Sequence, residues 1–312
     1  MRTPSIYTDP NPPPLSYEQL AWIVRNGLYS QVVYTAICLY DHITTLDLEV
    51  ELIWKRKISL VQVLYFTNRY IGDAVFVCAY PSHLWGPCFS NRSDPFPRRC
   101  PSFGTVNTWL SMASLFSYQG IMVHRIYSLC RRQRVVFASM MVCLGALLIT
   151  GLALGIIWTV GITGVPVPYS PTLRTCIPLG WTSWSPAMWI VILTFDLAIF
   201  SLAVAEGIRY LKEHPGRLRS KEEEAIVEGV SSRFSEGSVL RIFLRDSVVF
   251  PFLGILICLS NILAWYVLPL GALQHTINLA ALSSPLLGSR LILNLRDAYH
   301  RPFADEIELN HL

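Results

Sequence analysis

The 312-residue chain is 52% hydrophobic and only 15% charged, with a formal net charge of +4 and a positive mean hydropathy. About a quarter of the residues in an ordinary soluble domain are charged, so this balance excludes a water-soluble globular protein and makes lipid the natural solvent. Nothing in it implies a nucleic-acid partner.

The apolar residues collect into blocks close to the ~20 residues a helix needs to cross ~30 Å of hydrocarbon. Seven blocks run approximately over Leu28–Leu46, Ile58–Tyr80, Thr105–Leu129, Val135–Thr159, Ala187–Leu211, Val239–Leu268 and Leu270–Leu293. Hydrocarbon offers no water to backbone polar groups, so each block is predicted as a helix, and no short alternating pattern of the barrel kind occurs. The predicted fold class is all-α, an integral membrane bundle of seven transmembrane helices. Residues 1–27 form a tail, 28–80 the first two helices, 81–293 helices three to seven and 294–312 a second tail.

The opening stretch MRTPSIYTDPNPPPLSYEQL has three consecutive prolines and no apolar core behind Arg2, unlike a cleavable signal peptide, so the first helix is expected to direct insertion. Thirteen Lys and Arg residues fall in the connections on one side of the seven blocks and six on the other. The positive-inside rule then places the N-terminus outside and the C-terminus in the cytoplasm. The sequon Asn91-Arg92-Ser93 falls in a connection that this orientation puts outside, which marks Asn91 for glycosylation. Cys88, Cys100 and Cys176 also lie in outer connections, with Cys78 near an outer helix end. A Cys100–Cys176 disulfide would tie two helix ends together in an oxidising compartment, and other pairings or free thiols satisfy the spacing equally.

Between the first two blocks stands YDHITTLDLEVELIWKRKIS, Tyr40 to Ser59. Leu46, Val50, Ile53 and Trp54 keep one helical face apolar, with Trp54 suited to the interface. Glu51 precedes Lys55 by four residues, the favourable order for a helical ion pair, and most charges here are expected to be solvated. Asp41 is different, since it lies inside the apolar block, where a carboxylate must face the bundle interior or a wet cavity. If the hairpin turns near Lys55, Asp41 and Arg69 lie at one depth. Asn68 and Asp73 flank Arg69, giving a candidate intramembrane cluster of Asp41, Asn68, Arg69 and Asp73. Such a cluster either staples two helices or responds to protons or ligand.

Further along, Asp196 sits mid-block in ILTFDLAIF with no opposite charge within helical reach, a candidate ligand or proton site or else an interior protonated acid. Trp109, Phe116, Trp189 and Phe195 are candidates to line a cavity near it, or simply to pack. Asp246 and Arg290 fall at similar depth near the inner face and are expected to pair. Cys130 beside arginines is either a palmitoylation site or an inert buried thiol. Gly151 and Gly155 give one small-xxx-small match for close helix packing. The connection spanning 212–238 mixes basic, acidic and serine residues, as a solvated loop or a segment binding a cytoplasmic signalling partner would.

Absences narrow the chemistry. All four lysines, Lys55, Lys57, Lys212 and Lys221, lie outside the blocks, so no intramembrane Schiff base has a candidate. Paired histidines at i and i+4, Cys-x-x-Cys, Gly-x-Ser-x-Gly and Walker-type loops do not occur, so neither a metal, a cofactor nor an enzymatic activity is expected.

Several stretches carry a family resemblance: Tyr40-Asp41, Thr45-Leu46-Asp47-x-Glu49-Val50, Ile53-Trp54 and Asn68-Arg69-Tyr70. The run Tyr40 to Tyr70 resembles an uncharacterised domain that heads many fungal, especially mushroom-type, multi-pass membrane proteins. Arg245-Asp246 and Ser289 to Arg296 also resemble that family. The resemblance implies a seven-helix integral membrane protein with no established activity. The reading that follows is a receptor-like protein in the plasma membrane or another secretory-pathway membrane, coupling an outer or intramembrane ligand to a cytoplasmic partner. The alternatives are a transporter or channel component using Asp41, Arg69, Asp73 and Asp196 as a relay, and a non-catalytic scaffold.

Overall fold

The computed structural model describes residues 17–55, 57–77, 96–130, 133–161, 163–168, 174–179, 186–213, 236–268 and 270–309. Among them are seven long helical segments. Helix α1 (Tyr17–Glu49) ends in a π-helical turn, Val50–Trp54. Helix α2 starts at Leu60–Phe66, passes through a π-helical stretch, Thr67–Ile71, and stays helical to 77. Then come α3 (Phe96–Leu129), α4 (Arg134–Gly161), α5 (Ala187–Glu213), α6 (Glu236–Val267) and α7 (Leu270–Leu309). The apolar blocks mark only what hydrocarbon requires, and the helices overrun them: α1 begins at Tyr17 rather than Leu28, inside the expected tail, and α7 continues well past Leu293.

One element departs from the all-helical expectation. Between α4 and α5, β1 (Thr163–Pro168) pairs antiparallel with β2 (Arg174–Leu179), and the hairpin lies against α3. β-Branched residues oppose one another in register, Val165 with Ile177 and Val167 with Thr175. Intervening Pro166, Pro168 and Pro178 hide this period-two signal, because proline reads as a strand breaker.

Four helices contain segments long and apolar enough to cross a membrane by length and composition: Arg134–Val160, Ala187–Arg209, Arg245–Val267 and Ala272–Asp297. The first three helices carry more polar residues but run within the same bundle. Gln31 Nε2 donates to Phe76 O at 3.1 Å and Arg69 reaches Asp41, which sets α2 antiparallel to α1. Tyr34 Oη donates to His275 O at 3.2 Å and Arg296 Nη1 to Leu52 O at 2.7 Å, so α1 and α7 run parallel.

Side chains are distributed as lipid demands. Ile43, Val142, Ile149 and Val160 are each more than 70% exposed, whereas Gln31, Asp41, Glu49, Asn68, Arg69 and Gln119 are buried. Water would reverse that pattern; hydrocarbon favours it, because polar groups then find partners only inside the bundle. Between the helices, Ile53, Tyr65, Met122, Ile126, Ile199 and Leu291 belong to one continuous apolar core. Gly151 and Gly155 form a notch into which α3 packs: added Cβ atoms would come within 2.5 Å of Phe116 Cζ and 2.9 Å of Met112 Sδ. Phe116, Phe195 and Trp189 are packing residues, Trp189 against the cluster of Ala264 and Trp265 at the end of α6 and Leu273 at the start of α7.

Candidate functional site

A helical period aligns Cys38, Asp41, His42, Thr45 and Glu49 along the face of α1 turned toward α2 and α7. Arg69, only 1% exposed, lies opposite them. Its Nη1 donates to Asp41 Oδ2 at 2.7 Å and to Ser289 Oγ at 2.8 Å; its Nη2 donates to Thr45 Oγ1 at 2.6 Å and to Asp41 O at 3.2 Å. Its Nε lies 3.6 Å from Glu49 Oε2. The guanidinium is thereby enclosed by two carboxylates and two hydroxyls, as a buried cation requires.

Asp41 also binds a second arginine. Arg290 Nε and Nη2 donate to Asp41 Oδ1 at 2.9 and 2.7 Å. The expected Asp246–Arg290 pair is therefore not made. Residue 291, not 290, faces α3 and α6, and a step of one residue turns a helical side chain by about 100°, which carries Arg290 round to α1.

The four residues grouped from sequence divide their work. Asp73 is turned toward α1, where it pairs with His42 Nδ1 and accepts from Cys38 Sγ at 2.9 Å. Asn68 faces the other way: its Nδ2 donates to Ser284 O at 3.0 Å, and its Oδ1 accepts from Ser284 Oγ at 2.8 Å. Ser114 Oγ donates to Asn68 O at 3.0 Å, so Asn68 joins α2 to α3 and α7. Gly288 leaves the space for Asn68, since a Cβ there would fall 2.2 Å from Asn68 Nδ2.

Glu49 corrects the expectation of solvated charges. It is fully buried, and its Oε1 accepts from Trp54 Nε1 at 3.0 Å and from Tyr70 Oη at 2.7 Å. The signal was its spacing, eight residues after Asp41 and thus on the same face. Glu51 and Lys55 are both exposed and, among the described residues, do not pair with each other; the π-helical turn Val50–Trp54 adds a residue per turn and takes position i+4 off the face of position i.

A second polar contact joins the C-terminal end of α3, the N-terminal half of α6 and α7. Arg125, 5% exposed, donates from Nε to Ser247 Oγ at 3.0 Å and from Nη1 to Leu291 O at 3.0 Å, with Nη2 3.9 Å from Asp246 Oδ2. Asp246 Oδ1 also accepts from the exposed Arg245 at 3.2 Å. Nearby, Cys130 is 1% exposed, which leaves its thiol no access to an acyl donor; burial, followed by the neighbouring Glu206, pushes that thiol up to about 11.

The third site is Asp196, 2% exposed between α3, α5 and α6. Its Oδ1 accepts from Gln119 Nε2 at 3.0 Å and its Oδ2 lies 3.8 Å from Cys258 Sγ. It shares no hydrogen-bonding side chain with the Asp41 cluster. Among the described residues no group of three His, Cys, Asp or Glu side chains is placed to hold a metal ion. The side chains of Cys100 and Cys176, the sequon at Asn91 and the connection from 214 to 235 lie outside the described residues.

Comparison with known proteins finds residues 29–74 matching the model of a family of unknown function (DUF6533). That segment supplies every α1 and α2 member of the Asp41 and Arg69 cluster, whereas Ser114, Ser284, Ser289 and Arg290 lie beyond it. No curated protein matches the chain.

Proposed function

We propose that this multi-pass membrane protein of seven spans is receptor-like, with its N-terminus outside, and that it passes a change at an outer or intramembrane site to a cytoplasmic partner. The observation that carries this reading is Arg125. A guanidinium 5% exposed joins α3 to α6 through Ser247 and to α7 through the Leu291 carbonyl, at the membrane end where the basic connections gather. A contact of this kind has two discrete states, made and broken, and breaking it frees the inner ends of α3 and α6 to separate. Both helices lead toward connections rich in charge, the longer of which spans 212–238. The separation of the Asp196 site from the Asp41 cluster speaks against one continuous relay of charges across the bundle.

The reading is tested by proximity labelling of the full-length protein in its own cell type, beside a version in which 212–238 is replaced by a neutral linker of equal length. Recovery of signalling proteins with the native connection alone supports it. Equal recovery from both versions makes the connection a mere tether and removes the receptor reading.

A further inference from the structure

The Asp196 site has more acceptors than donors. Asp196 Oδ1 receives the Gln119 amide at 3.0 Å, while Oδ2 has only the Cys258 thiol at 3.8 Å, a weak donor at long range. Gln119 is itself 0% exposed, and its Oε1 has no hydrogen-bond partner. One buried oxygen thus has a single weak donor and the other has none. Buried polar atoms are nearly always paired, so the deficit calls for an explanation.

We infer that Asp196 binds a proton, carried on Oδ2 and donated to Gln119 Oε1, so that the acid and the carboxamide form a head-to-head pair of two hydrogen bonds. One proton satisfies both orphan oxygens and removes the charge that the site cannot neutralise. None of the described Lys, Arg or His residues forms an ion pair with Asp196. From α3 the facing titratable groups are Tyr118, whose buried hydroxyl also lacks a partner, and Arg125, six residues on from Gln119 and held by Ser247 and Leu291. From α6 it is Cys258, and on α4 Cys143 is exposed. An ionised carboxylate enclosed by these groups would be unpaired in a low-dielectric interior, which proteins avoid by keeping the proton.

The backbone of α6 closes one side of the site: a Cβ added at Gly254 would lie 2.9 Å from Asp196 Oδ2, so the carboxyl occupies the space that a larger residue there would fill. The proton assignment holds whether or not the protein is a receptor.

The test is infrared spectroscopy of the full-length protein in lipid nanodiscs at neutral pH. Wild type should show a protonated-carboxyl C=O band that shifts on H/D exchange and is lost in Asp196→Asn. In Gln119→Leu the band should persist at higher frequency, because the acid keeps its proton but loses the carboxamide acceptor. Loss of carboxylate bands instead in Asp196→Asn overturns the inference, as does a band unmoved in Gln119→Leu. Should Asp196→Asn fail to fold, carboxyl-13C aspartate labelling of wild type and Gln119→Leu gives the same readout. Absence of a labelled acid band from wild type then overturns it.

Discussion

Replacing Asp41 by Asn removes one charge and almost no volume, so it isolates the electrostatic role of the cluster. Arg69 is 1% exposed and would keep Thr45, Ser289 and the longer contact to Glu49, but would lose its one close carboxylate at 2.7 Å. Loss of a neutral interhelical hydrogen bond in a membrane costs about 0.6 kcal/mol and at most about 1.7. An uncompensated buried cation costs about 3–5 kcal/mol. With Glu49 still near, the account places Asp41→Asn at the lower end of that range, about 3 kcal/mol. Arg290→Gln removes an equally short contact from the other oxygen but leaves Asp41 paired with Arg69, so no charge is stranded in the interior and the loss is expected to be smaller, about 0.6–1.7 kcal/mol. Equilibrium unfolding of the full-length protein in bicelles by steric trapping measures both. The pair in the double variant Asp41→Asn/Arg69→Met should be less damaging than the two single losses summed, because no charge is left stranded. If Asp41→Asn costs no more than Arg290→Gln, Arg69 is not neutralised in the way described and the reasoning fails.

Gly288→Ala sets a Cβ 2.2 Å from Asn68 Nδ2 and is expected to cost about 1–3 kcal/mol by overpacking, whereas Gly145→Ala, with nothing within 4 Å, should be neutral or gain up to about 1 kcal/mol of helix propensity; the same unfolding assay compares them. A buried thiol held up to about 11 is protonated at neutral pH, so maleimide labelling of Cys130 should be negligible at pH 7 and rise as the pH climbs toward 11. Rapid labelling of Cys130 at pH 7, read by mass spectrometry, would contradict its burial.

The approximate positions of the long helices among the described residues were legible in the sequence, because hydrocarbon imposes a length and forbids most charge. Helix ends were not: outside hydrocarbon nothing in an apolar block says where α1 should start, and its helix extends back through Glu18 and Gln19 to Tyr17. Asp41 and Arg69 could be matched by counting from the turn, since hairpin depth depends only on residue number. Rotation was harder to read. The Arg290 assignment failed by one residue of helical phase, and the π-helical turns at Val50–Trp54 and Thr67–Ile71 alter phase without altering composition. Glu49 looked solvated because it neighbours Asp47 and Glu51 in sequence, whereas its helical neighbours are Thr45 and Asp41. The partners of Asp196 and Arg125, Gln119 and Ser247, come from helices distant in sequence, so no local pattern could have named them.

In the receptor reading proposed above, Arg125 holds the C-terminal end of α3 against α6, and its release lets the two separate. The most direct measurement is the distance distribution between spin labels incorporated at positions 128 of α3 and 249 of α6, both exposed, in the full-length protein in nanodiscs. The account predicts one short population in wild type and a second, longer one in Arg125→Leu. Superimposable distributions in the two proteins would contradict it.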